Sequence, residues 1–109
     1  MKDSRTVREA LLEGGLSPKY QGYEYLVDII MMVIESGDFF LSQYYEELSN
    51  KYSVNKEAIY QDIRYMLSKI SYRKLILYDD IVRGSFPTNK EFITFFCKTV
   101  DLFHQKIGF

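Results

Sequence analysis

The chain has 109 residues, the size of one domain, and 47% of them are apolar, which is ample for a core. Ten Tyr and eight Phe give that core bulk, while only two Pro and six Gly argue against disorder or a loop-rich β fold. A single cysteine, Cys97, excludes an intrachain disulfide and fits a reducing compartment, and a net charge of -1, taken alone, argues against nucleic-acid binding.

The first residues, "MKDSRTVREALLEGG", carry Asp3, Glu9 and Glu13, which is wrong for a secretory signal. Ser4 is suited to cap a short helix running to about Glu13, and Gly14-Gly15 ends it. Pro18 suits the first turn of a second helix. That helix shows Tyr23, Leu26, Val27, Ile30, Val33 and Ile34 at spacings of three and four, the pattern of a core helix, and "SGD" at 36–38 stops it. Its "IIMMVI" (29–34) is the longest apolar run, far short of the roughly 20 residues of a membrane span, so the reading is a cytoplasmic protein with no membrane partner. Residues 42–52 read as a third helix capped by Ser42 and burying Tyr45, Leu48 and Tyr52. A short "SVN" follows, and Asn55 caps a fourth helix. In that helix Ala58, Ile59, Ile63, Met66, Leu67 and Ile70 form one stripe, opposite Lys56, Glu57, Tyr60, Gln61, Arg64 and Ser68. Residues 71–86 read equally as a strand, through "KLILYDDIV", or as a helical turn or two. Thr88 and Glu91 then make a capping box, and a last helix, about 89–106, buries Phe92, Phe96, Val100 and Phe103.

The expected fold is therefore all-α, a compact bundle of five to six helices forming one domain over residues 1–109. The third and fourth helices, with their short link, match a helix-turn-helix, although a tight corner of this kind also occurs in bundles that touch no DNA. Charge is unevenly spread. Residues 21–50 hold six acids and no base, whereas residues 51–74 hold Lys51, Lys56, Arg64, Lys69, Arg73 and Lys74 against Glu57 and Asp62. A polarised chain can present a positive face while acidic overall; the plainer reading of the same charges is a set of solvated faces.

No catalytic constellation can be assembled, so no enzyme and no cofactor is expected. His104 is the sole histidine, and a lone helical His is usually structural or exposed. Cys97, within "FITFFCKTV", reads as a small core residue. There is no Cys/His set for zinc and no Gly-rich phosphate loop. Asp79-Asp80 and Glu46-Glu47 are adjacent pairs that point apart.

Three stretches, "LSPKYQGYEYL" (16–26), "YYEELSNKYSVNKEAIYQDIRYML" (44–67) and "PTNKEF" (87–92), occur in the order found in one family. Together they resemble the C-terminal DNA-binding effector domain of the sporulation initiation regulator, stage zero sporulation protein A, over about residues 7–103. "GYEYL" is similar to that family's Gly-Tyr-x-Tyr-Leu, and "PTNKEF" to its Pro-Thr-Asn-Ser-Glu-Phe. The resemblance implies a bundle of about six helices whose recognition helix enters the major groove of double-stranded DNA.

The chain departs from the family in three ways. The resemblance begins almost at Met1, so the family's phosphorylatable receiver domain is not expected here, and phosphorylation-driven dimerisation is not implied. The segment before "PTNKEF" is several residues shorter. The family's Ser-Arg-x-Glu-Arg-x-x-Arg reading face is replaced by Glu57-Ala58-Ile59-Tyr60-Gln61-Asp62-Ile63-Arg64, in which Arg64 alone keeps its basic counterpart. Arg favours guanine edges and Gln favours adenine edges, so a different target sequence from the family's, or a weaker preference, is expected. The expected DNA-binding residues are Lys51, Lys56, Tyr60, Gln61, Arg64, Lys69, Arg73 and Lys74. The expected role is transcription control, or an architectural accessory role in mobile-element excision, with a second copy, a full-length regulator or a recombinase as companion on DNA. The alternative is a protein-interaction module that keeps the fold, has lost DNA binding and modulates a full-length regulator.

Overall fold

The computed structural model describes residues 4–69 and 88–106, with side chains of the last helix described as far as Lys98. Five α-helices follow one another: α1 (Ser4–Glu13), α2 (Gly22–Ser36), α3 (Leu41–Tyr52), α4 (Lys56–Lys69) and α5 (Asn89–Lys106). The all-α bundle is as expected, and the described residues contain no strand. The ambiguous segment 71–86 lies outside the described residues, as do Ile70 and the side chains of Val100, Phe103 and His104.

Helix α2 is the hub. It packs against each of the other four helices, and its buried residues (Tyr23, Tyr25, Leu26, Val27, Ile29, Ile30 and Val33) spread over more than half of its circumference, leaving one polar edge with Glu24, Asp28 and Glu35. So broad an apolar face has to be covered by several neighbours. Helix α1 lays Val7 and Leu11 on it, and α5 adds Phe92, Ile93, Phe96 and Cys97. Cys97 is 5% exposed, a core residue as its surroundings in the sequence suggest.

The ends of the helices follow from local chemistry. Gly15, at φ +94°, closes α1: its N–H bonds the Leu12 carbonyl at 3.0 Å and the Leu16 N–H reaches back to Leu11 at 3.1 Å. Leu16 buries itself beside Leu11, the apolar contact that accompanies this kind of end. Gly37, at φ +76°, ends α2. The capping box at α5 is formed, with the Glu91 N–H on Thr88 Oγ1 at 3.0 Å and the Thr88 N–H on Glu91 Oε1 at 2.9 Å.

Three sequence readings are corrected. Pro18 does not open α2; it sits in a turn in which the Tyr20 N–H bonds the Ser17 carbonyl at 3.2 Å, and α2 starts four residues later at Gly22. Both sites need the same φ, so proline suits either. Ser42 lies inside α3, whose first residue is Leu41, and no side chain caps that end. The entry is held instead by Tyr44, whose hydroxyl donates to the Asp38 carbonyl at 3.1 Å and contacts Ser36 Oγ at 2.5 Å. Ala58 is exposed, because the buried stripe of α4 runs through Ile59, Ile63, Met66 and Leu67 and leaves position 58 about 100° to one side.

Candidate nucleic-acid interface

Helices α3 and α4 are joined by residues 53–55 and pack on each other and on α2. The link is specified locally. Ser53 adopts a left-handed conformation (φ +55°), where Gly is the usual residue, with its N–H on the Ser49 carbonyl. Ser49 Oγ donates to the Val54 carbonyl at 2.6 Å. Asn55 Oδ1 then accepts the Glu57 N–H at 2.7 Å, the expected cap of α4.

The orientation of α4 is fixed from behind. Ile59, Ile63, Met66 and Leu67 are each 0% exposed. At the crossing with α2, Gly22 lies so close to α4 that a Cβ there would stand 2.5 Å from the Asp62 carbonyl oxygen and 2.9 Å from Ile63 Cα. No side chain fits between the two backbones, which is the physical content of the glycine in "GYEYL".

With its rear buried, α4 turns Lys56, Glu57, Tyr60, Gln61 and the half-buried Arg64 outward. Tyr60 is 38% exposed and leans edge-on against Tyr45 of α3, with ring centroids 6.0 Å apart. Gln61 donates to Glu57 Oε1 at 3.0 Å, an exposed bond easily exchanged for one to a ligand. Lys56 faces Glu46 of α3 at 3.3 Å. Lys69 sits over the Tyr65 ring, 5.1 Å from its centroid. The structure thus brings Lys56, Tyr60, Gln61 and Arg64 of the expected set to one face. Lys51 is engaged elsewhere. It bonds Asp28 of α2 at 3.0 Å, which raises its pKa, and the Tyr52 hydroxyl donates to the same carboxylate at 2.6 Å. Arg73 and Lys74 lie outside the described residues.

Two neighbours of this face are not evident from the sequence. One is a groove of about 610 Å³ beside Lys56, lined by Phe39, Phe40, the first turn of α3 and Lys90 of α5. The other is Asn89, buried at 2% exposure behind α4. Its Nδ2 donates to the Tyr60 carbonyl at 3.2 Å and to the Tyr45 hydroxyl at 3.4 Å. Burial pushes the Tyr45 phenol pKa up, so the hydroxyl stays neutral. Asn89 stands in the "PTNKEF" that is similar to the family's Pro-Thr-Asn-Ser-Glu-Phe, but nothing in the sequence marks it as buried or as a partner of Tyr60 and Tyr45.

Chemically, the face offers guanidinium and carboxamide donors on a rigid helix, a pair of groups suited to base edges in a DNA major groove. Among the described residues no group of His, Cys, Asp and Glu is arranged to hold a metal ion, and no helix is long and apolar enough to cross a membrane. No curated protein matches the chain. Residues 7–100 match the family described as the sporulation initiation factor Spo0A C terminal, so the chain belongs to that family.

Proposed function

We propose that this chain is a sequence-specific DNA-binding domain in which α3, the turn at 53–55 and α4 act as a helix-turn-helix, with α4 as the reading helix. The observation that carries this reading is the division of α4. Its rear is fully buried against a backbone crossing, and its front carries Tyr60, Gln61 and Arg64 together. Membership of a sporulation regulator family favours transcription control over an accessory role in mobile-element excision. Double-stranded DNA is the partner, and a second copy on adjacent half-sites is consistent with a small single reading helix. The test is an electrophoretic mobility shift on random duplex at low salt with micromolar protein, followed by selection of bound sequences from a random pool. A shift and an enriched sequence are expected.

One observation favours the competing reading, a protein-interaction module without DNA binding. Both Lys51 and Lys56 are paired with carboxylates of the protein itself. Absence of any shift at low salt would decide for that reading.

A further inference from the structure

Tyrosines aside, Asn89 is the polar side chain that the fold buries among the described residues. It opens α5, yet it takes no part in the capping box. Its amide group reaches sideways to the Tyr60 carbonyl in α4 and the Tyr45 hydroxyl in α3. The Tyr60 carbonyl can only accept, so the amide nitrogen must face it, which leaves Oδ1 buried with no partner among the described residues. A buried, unsatisfied oxygen is unfavourable, and an apolar residue would serve packing better. The amide therefore does something that packing does not require.

Its bond ties α5 to the main chain of α4 at Tyr60, one of the outward-facing residues. Such a bond resists rotation of α4 about its own axis. A roll of about 10° moves side-chain ends at the helix surface by about 1 Å. That displacement is enough to break hydrogen bonds to base edges, whose useful range is a few tenths of an ångström. The same amide holds Tyr45, whose ring supports Tyr60.

We propose that Asn89 is a positioning residue. From α5 it locks the roll of α4 through the Tyr60 carbonyl and the Tyr45 hydroxyl, and so sets the sequence preference of the Tyr60, Gln61 and Arg64 face without touching DNA. The inference rests on the DNA-binding reading above.

The experiment compares the full chain with Asn89→Ala, Tyr45→Phe and Arg64→Ala on a selected duplex and a scrambled one, with circular dichroism as the folding control. Asn89→Ala should lose about tenfold on the selected duplex, within the worth of one base contact, and keep its affinity for the scrambled one. Tyr45→Phe, which keeps the ring, should lose about threefold, the worth of one neutral hydrogen bond, again on the selected duplex alone. In an Arg64→Ala background the effect of Asn89→Ala should shrink, because it acts through the same face. Should Asn89→Ala unfold, Tyr45→Phe decides. Equal proportional losses on both duplexes, or unchanged discrimination in both variants, would overturn the inference while leaving the DNA-binding reading intact. A wild-type chain that shifts no duplex would overturn both.

Discussion

Two single residues carry the sharpest expectations. Gly22 is the position where α2 and α4 touch backbone to backbone, with 2.5 Å between a notional Cβ and the Asp62 carbonyl. Neither backbone has a flexible end to move aside. Gly22→Ala should therefore destabilise the fold by about 1–3 kcal/mol, the usual range for forcing extra atoms into a packed core. Chemical denaturation measures it, and an unchanged midpoint would mean the crossing yields more easily than its geometry implies. Arg64 lies on the other side of the same helix. Its neighbours Ile63 and Leu67 hold the core, so Arg64→Ala should fold normally and lose about 1–3 kcal/mol of specific binding, the worth of a bidentate base contact. Titration against selected and scrambled duplexes checks it. Equal binding of the selected site would remove α4 from the role of reader.

At the scale of the element, much of the fold was legible, and the reasons differ from helix to helix. Gly15 and Gly37 punctuate their helices because only glycine takes their positive φ without strain, so both stops were visible in the sequence. The stripe Ile59, Ile63, Met66 and Leu67 set the phase of α4 correctly, and Asn55 marked its start. The start of α3 was hidden. It depends on Tyr44 binding a carbonyl six residues earlier, a tertiary arrangement that a serine at position 42 imitates in sequence. Burial of Tyr25 and Ile29 was missed for a related reason: a buried face that wraps more than half of a helix, against several neighbours, is wider than the single stripe that spacings of three and four trace. In the candidate site the outward residues were legible, but Lys51 was not, since its partner Asp28 is on another helix. Electrostatics adds an expectation at this scale. Thr88 holds the Glu91 carboxyl below its ordinary 4.5, and Arg8 does the same for Glu24. A carboxylate with a lowered folded pKa stabilises the fold fully above its unfolded value and loses that contribution as pH falls through the folded one. Thermal stability should therefore drop on acidification from about pH 5 towards pH 3, and less steeply in Glu91→Gln and Glu24→Gln. Melting curves across that range test it; parallel curves for all three chains would assign the acid sensitivity elsewhere.

For the whole molecule, the Cα radius of gyration of 13.4 Å is close to the roughly 13 Å of a folded chain of this size, and the core is continuous from α1 to α5. An overall charge of -1 means that any attraction to DNA comes from how charge is arranged rather than how much there is. With few bases on the reading side, the salt dependence should be shallow, on the order of three to five phosphate contacts at about 0.9 in slope for each. Glu46→Gln releases Lys56 and should tighten binding to selected and scrambled duplexes alike, because a phosphate contact carries no sequence information. Titrations at two salt concentrations measure both effects, and a salt-independent complex would contradict them. The buried Cys97 gives the chain a built-in clock. It is the sole thiol in the sequence and lies 5% exposed on α5, so a bulky thiol reagent reaches it when α5 comes away from the core. The labelling rate should thus follow the fraction of molecules that are open at any moment. A duplex that binds the closed form alone should slow labelling in proportion to its occupancy, so that one chemical group reports stability and ligand binding on a single time axis.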